Sequence, residues 1–322
     1  MEIKRPANNY YEQVNKGFLL GVKKGWGSFL WVLKILLPVS FLTALLEWSE
    51  WIYKIDFLFQ PLMSWISLPP LAALPLLVGI ISGIYGGIGA MVVLPFTKDQ
   101  MTLMAIFMMI CHSLIQEGMI QGKSGLHPLK AILFRTGAAV ITVMVVAFFL
   151  DPTSPAPYTP GNTATFSLPF WVFLRNWFLS NLYLTLKIFG IILSILVFLE
   201  ILKVLGWIRQ VVKIFSPFLR LFGLSQGTGI LWITGAFFGL IYGAAVIVEE
   251  IKGGHLAKEE VEKLHLSIGI NHSFIEDPIL FMALGLNFFW LFIPRLLAAV
   301  LVVRIFSFGK FISQKLFQTY SP

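Results

Sequence analysis

Hydrophobic runs dominate this chain, and most are longer than a soluble helix or strand requires. A helix needs roughly 20 apolar residues to cross a bilayer. Six runs qualify as spans: 27–46, 71–95, 127–150, 170–200, 227–248 and 279–306. Two shorter helical stretches, 100–122 and 258–278, lie between spans. Two more, 50–68 and 205–223, read as amphipathic or interfacial. The pattern predicts an all-α polytopic membrane protein.

Composition agrees. Hydrophobic residues make up 57% and charged residues 12% of 322, and the mean hydropathy is +0.82. Soluble domains carry about 25% charged residues, so these charges are too few to cover a water-facing surface. Disorder, coiled coil and disulfide scaffold are excluded on the same grounds. The single cysteine allows no intramolecular disulfide. The formal charge of +8 does not call for nucleic acid, because Lys and Arg mark cytoplasmic loops in membrane proteins. Residues 1–26 carry Lys4, Arg5, Lys16, Lys23 and Lys24 but no cleavable-signal pattern. They read as a basic, partly amphipathic stretch on the inner surface.

The charges predict a cell-membrane, multi-pass chain with both termini cytoplasmic. Glu47, Glu50, Lys54 and Asp56 then fall in a first outer loop, and Lys98, Lys123 and Lys130 in the next inner segment. The loop 151–169 falls outside, 201–226 inside, 249–265 outside, and Arg304, Lys310 and Lys315 inside.

The chain also repeats itself. Gly79, Gly83 and Gly87 recur as Gly235, Gly239 and Gly243 at an offset of 156. Further on the offset is 160, and His112-Ser113-Leu114-Ile115-Gln116-Glu117 meets His272-Ser273-Phe274-Ile275-Glu276-Asp277. Across 112–143, ten of thirty-two positions are identical at this offset, where chance in so biased a composition gives about three. Two halves follow, 1–150 and 170–322, joined by a Pro/Thr-rich external linker at 151–169. Three spans per half would place the second half upside down. Inverted repeats of this kind are common in secondary transporters, with a site near the midplane.

Two groups of residues carry candidate chemistry. The glycine rows, spaced by four, would lie on one helix face and let another backbone approach; SGIYGGIGA at 82–90 is also a place for a helix to break. The sharper group is polar. On a continuous helix His112 shares a face with Gln116, and His272 with Glu276, with Glu117 and Asp277 one residue on. Ser113, Ser273 and Asn271 adjoin them. Ionisable groups beside apolar runs face an interior or a water-filled cavity. They would bind a divalent metal, relay protons or hydrogen-bond a polar solute; a structural network with Arg135 or Arg295 is the competing reading. Those arginines would balance charge, and Arg135 would otherwise snorkel, as would Lys34 and Lys187. Cys111 reads as a buried inert thiol, and His255 and His265 as part of a solvated, charged segment. No catalytic motif or cofactor-binding motif is present, so the chain reads as no enzyme.

The stretch LPLLVGIISGIYGGIGA…LPFTKDQMTLMAIFMMICHSLIQEGMIQGKSG resembles the Gate, or nucleoside recognition, domain, and ITGAFFGLIYGAAVIVEE…INHSFIEDPILFMALG resembles a second copy. Gate domains occur in concentrative nucleoside transporters, in the membrane part of the ferrous-iron transporter FeoB, and in small stand-alone membrane proteins. This chain resembles the stand-alone group. It has no cytosolic GTPase segment and is shorter than a typical concentrative nucleoside transporter. The resemblance implies helices that break or re-enter and meet at a central site. The expected function is a permease for a small polar solute or ion, proton-coupled or not. A divalent-metal pathway and a non-transporting scaffold or accessory subunit are the alternatives. The expected partners are the lipid bilayer, the solute or ion, and a homo-oligomeric copy of the chain.

Overall fold

The computed structural model describes residues 7–54, 56–152, 169–207, 226–238 and 256–320, with scattered positions between 210 and 224 and at 247–250. The helices are α1 (Ala7–Trp48), α2 (Trp51–Lys54), α3 (Asp56–Trp65), α4 (Ala73–Ser82), α5 (Ile84–Met91), α6 (Lys98–Cys111), α7 (Leu114–Lys123), α8 (Pro128–Ala147), α9 (Phe170–Val204), α10 (Gln226–Phe238), α11 (Lys258–Asn271), α12 (Glu276–Ala283) and α13 (Phe288–Tyr320). The protein is all-α and polytopic. Among the described residues, five helices, counting the α6–α7 stretch as one, are long and apolar enough to cross a membrane, and a bent pair, Phe57–Trp65 with Pro70–Ser82, makes a sixth if counted as one span.

Two opposite ends of the molecule can be followed by contacts. At one, Glu262 bonds both Lys130 and Lys310 at 2.9 and 2.6 Å. At the other, Lys98 Nζ reaches the carbonyl of Gly285, and the Asp151 amide donates to Asp99. Call these the Lys130 end and the Asp151 end. The α6–α7 stretch runs from the Asp151 end to the Lys130 end, and α8 returns. The α11–α12 stretch runs the reverse course of α6–α7, and α13 the reverse of α8. Phe149 lies against Trp290, and Phe134 against Phe306.

The helix α1 also starts at the Lys130 end and pairs antiparallel with α9. Cβ atoms at Gly17, Gly21 and Gly25 would strike Ile201, Val197 and Leu193. That glycine row lets the two backbones close on each other. At 1.5 Å per residue, the 42 residues of α1 span about 63 Å, twice the roughly 30 Å hydrocarbon core. Residues 7–26 therefore continue a long helix packed on α9 and do not form a separate surface helix.

The run 71–95 is not a span. Gly83 sits at φ +93°, a left-handed conformation, and separates α4 from α5. A Cβ on Gly87 would lie 3.2 Å from the Cα of Gly79; eight residues apart on one helix they would be about 12 Å apart. The two arms therefore fold back as a re-entrant hairpin with Gly83 at its tip. Gly79 and Gly87 face each other across it and share no face of a single helix. The stretch 100–122 lies within Lys98–Lys123, which is long and apolar enough to cross a membrane, with Lys98 and Lys123 at its opposite ends. Likewise 279–306 divides at Gly285, its first part closing the α11–α12 stretch. Glu262 lies at the same end as Lys130 and Lys310, against the expected outer placement of 249–265. In the second half, a Cβ on Gly235 would lie 2.9 Å from Ile268. Gly239 and Gly243 lie outside the described residues, so the predicted 227–248 span is described only over α10. Most of 205–223 also lies outside them.

Candidate functional site

Local sequence sets the start and stop of α6. Thr97 and Gln100 close a capping box at its N-terminus, satisfying amides that the helix leaves free. Its C-terminus is His112, with extended ψ of 155°. Ser113 then takes φ +46° and starts α7. The second half repeats this geometry. His272 ends α11 with ψ 158°, and Ser273 follows with φ +49°. Gly125 and Gly285, 160 positions apart, carry φ of 110° and 87°. The Ser113 amide donates to the Gly79 carbonyl at 3.0 Å, and the Phe274 amide to that of Ala236 at 2.7 Å. The first break is thereby tied to α4 and the second to α10.

The breaks change the predicted geometry. His112 and Gln116 are not on one helix face, nor are His272 and Glu276, because α6 ends at Cys111 and α11 at Asn271. Gln116 is exposed and points away from the centre. The two histidines meet instead. Their Nε2 atoms are 3.1 Å apart, and their ring centroids 4.7 Å. Glu117 completes a triangle, with Oε1 3.5 Å from His112 Nε2 and Oε2 3.2 Å from His272 Nε2. Asp277 Oδ2 lies 3.9 Å from His112 Nδ1.

The arginines anchor the breaks. Arg135 donates from Nε to the Ile110 carbonyl at 2.7 Å and from NH2 to the His112 carbonyl at 3.0 Å. Arg295 donates in the same way to Ile270, at 2.5 Å, and to His272. The last carbonyls of a helix lack partners within it and carry partial negative charge. A guanidinium, with five donors in a rigid fork, satisfies them. Arg135 also pairs with Glu117 at 2.7 Å. Arg135 and Arg295 are 2% and 1% exposed, so Arg135 does not snorkel.

These bonds fix the chemistry of the imidazoles. His112 Nδ1 lies 2.9 Å from the Met108 carbonyl, and His272 Nδ1 3.1 Å from that of Gly269. Carbonyl oxygens only accept, so each neutral ring carries its proton on Nδ1. In that tautomer both Nε2 atoms are free to accept or to ligate, turned toward each other and toward Glu117; a proton on either Nε2 would instead be donated to the other ring or to Glu117.

Other polar groups surround the centre. The Tyr85 hydroxyl, just past the hairpin tip, donates to Glu276. Asn271 is fully buried, and neither side-chain atom finds a partner among the described residues. Ser113 Oγ lies 3.0 Å from where a Cβ on Gly83 would stand, and Ser273 is half-buried. Cys111 is a buried free thiol. His265, expected to be solvated, is fully buried, with Nε2 2.7 Å from the Ser124 carbonyl; α8 and α13 cover its helix. His255 lies outside the described residues. Lys187 is exposed and donates to the Ala283 carbonyl at 2.5 Å.

Sequence reading missed Tyr85 and Glu47. Tyr85 sits in an apolar glycine-rich run and finds its acceptor 191 positions away, a separation no local pattern reveals. Glu47, expected in an outer loop, is 6% exposed.

Known proteins bear on this arrangement. Residues 29–122 match the Gate family, described as nucleoside recognition. The match covers the second half of α1, the hairpin, α6, and α7 with His112 and Glu117. The chain is 25% identical over 294 residues to the "uncharacterized membrane protein YvoD" of Bacillus subtilis (strain 168), over 90% of this chain and 93% of that protein. No solved structure matches. The chain is a multi-pass, all-α membrane protein with a match to the Gate, nucleoside recognition, family over residues 29–122.

Proposed function

We propose that this protein is a permease, not an enzyme, whose transported substrate is a divalent transition-metal cation held at His112, His272 and Glu117. The observation that carries this reading is the convergence of two imidazole lone pairs and a carboxylate where two broken helices meet. A metal bound to nitrogen at about 2.1 Å holds neighbouring ligand atoms about 3.0 to 3.4 Å apart. Here the two Nε2 atoms are 3.1 Å apart, and each faces a different Glu117 oxygen, at 3.2 and 3.5 Å; with one ligand atom from each residue, the three lie within 4.8 Å of one another. Two histidines and one carboxylate suit iron, manganese, cobalt or zinc. The formal charge also favours a dication. Three carboxylates, Glu117, Glu276 and Asp277, face two guanidiniums, Arg135 and Arg295, and both helix C-termini point inward.

The hairpin supplies a movable element. It enters from the Asp151 end, and its Tyr85 holds Glu276. Release of that bond would open the site toward the Asp151 end, as discontinuous helices do in transporters. The Lys130 end gathers Lys24, Lys123, Lys130, Lys203 and Lys310, which supports a cytoplasmic placement for it.

Titration of the purified full chain with Co²⁺, followed by its visible absorption, tests the proposal. One ion per chain should bind, with nitrogen ligation, and Zn²⁺ should displace it. Loss of the signal in a His112→Ala, His272→Ala double variant completes the case. An unchanged spectrum on adding Co²⁺ to folded protein would reject the metal and favour a scaffold, with the polar cluster locking the two halves.

A further inference from the structure

We propose a second ligand site, separate from the histidines, in the cavity beside Glu47 toward the Asp151 end. It takes a small molecule bearing an ammonium group.

The cavity holds about 450 Å³, a volume typical of small-molecule sites, and lies between α1, α9, the end of the hairpin and the end of α12. Glu47 lines it. Glu47 is 6% exposed, its carboxyl faces this cavity, and among the described residues no cation stands beside it to offset its burial. The glutamate at the matching position of the second half, Glu200, is bonded by Lys24 at 2.9 Å and Lys203 at 3.0 Å. A buried carboxylate without a partner is costly. A cation supplied from outside resolves the asymmetry.

A second, independent feature points to the same place. Asn176, Ser180 and Lys187 are exposed on α9 and line the cavity. Their spacing places them on one helix face. A polar stripe on a membrane-spanning helix marks a water-filled path and not a lipid-facing surface.

The occupant is organic. The space is many times that of a bare ion, since one water takes about 30 Å³. Phe173 and Trp177 supply aromatic walls, which attract ammonium groups. At the far side Lys187 donates to the Ala283 carbonyl at 2.5 Å and keeps donors free for an acidic group. A plain amine and a zwitterion share the ammonium, and Lys187 separates them.

Calorimetry and thermal unfolding of the full chain in nanodiscs, with methylammonium, ethanolamine, glycine and β-alanine, test the site, with Mg²⁺ as the inorganic control. At least one amine should bind saturably and raise the melting temperature. Glu47→Gln should weaken it by about tenfold or more while Co²⁺ binding at the histidines persists. Weakening of glycine and β-alanine alone by Lys187→Met assigns a zwitterion; no effect assigns a plain amine. An Asn176→Leu, Ser180→Leu double variant, changed only at exposed positions, should close the mouth and abolish amine binding, and decides the matter if Glu47→Gln does not fold. Absence of amine binding, equal binding by Glu47→Gln, or a response to Mg²⁺ alone would overturn the site. Failure of Co²⁺ to bind would leave this result untouched, because the two sites share no residue.

Discussion

His112 and His272 face each other with their Nε2 atoms 3.1 Å apart, and each ring's other nitrogen is already committed to a backbone carbonyl. At that distance the two nitrogens need a proton or a metal cation to hold them together. Single His112→Ala and His272→Ala variants should each weaken Co²⁺ binding by at least about tenfold, a loss of about 1.4 kcal/mol or more. Calorimetric titration reads this directly, and equal affinity in either variant would contradict the shared site.

Glu117 and Arg135 form a buried pair at 2.7 Å. Removing one partner leaves the other charge uncompensated, which costs about 3–5 kcal/mol. Glu117→Gln alone should therefore unfold at markedly lower denaturant than wild type. Arg135→Met should be worse, because the carbonyls of Ile110 and His112 also lose their donors. If the Glu117→Gln, Arg135→Met double variant recovered wild-type stability, those carbonyl bonds would carry no weight.

The hairpin makes a topological prediction. Cys111 is the one cysteine and is buried, so single introduced cysteines report cleanly. Asp99→Cys and Lys123→Cys should react with impermeant maleimide from opposite faces of the membrane. Hydropathy alone places both on one face, and labelling from the same side would refute the re-entrant arrangement.

Gly83 holds the hairpin tip at φ +93°. Alanine there costs about 1–2 kcal/mol in backbone strain, and its methyl would stand 3.0 Å from Ser113 Oγ. Gly87→Ala adds overpacking against Met108, Gly79 and Pro75, commonly about 1–3 kcal/mol. By contrast, no atom lies within 4 Å of a Cβ on Gly137, so Gly137→Ala should leave the melting temperature unchanged or raise it.

At the Lys130 end, Glu262 joins α11 to α8 through Lys130 and to α13 through Lys310. Glu262→Gln should lower stability by about 1 kcal/mol, the scale of a partly exposed ion-pair network. The loss should shrink as salt rises, because screening weakens the wild-type pairs. A salt-independent difference would assign the effect to packing.

The all-α membrane class was legible because apolar length is a strong signal. The matching left-handed positions, Ser113 and Ser273 or Gly125 and Gly285, stand in the sequence 160 residues apart because such conformations restrict which residues fit. The course of the chain was not. Both arms of the hairpin are apolar, so 71–95 adds up to one span, and nothing in its period says that Gly83 reverses direction. The α6–α7 stretch, long and apolar enough to cross a membrane, reads as a shorter helical stretch between spans once 71–95 is counted as one. His265 looked solvated beside KEEVEK, yet the neighbouring helices cover it. The histidines and Glu117 were named from sequence, but on helix faces that do not exist. Their meeting depends on contacts across 160 residues.

Arg135 and Arg295 each clamp the broken helix of their own half, while the imidazoles those helices carry touch only across the halves. In the proposed site the two motifs thus serve one ligand position, not two. Stoichiometry inherits this: the repeat doubles the sequence motif without doubling capacity, and a fragment carrying one half would keep its arginine clamp but hold half of a coordination sphere.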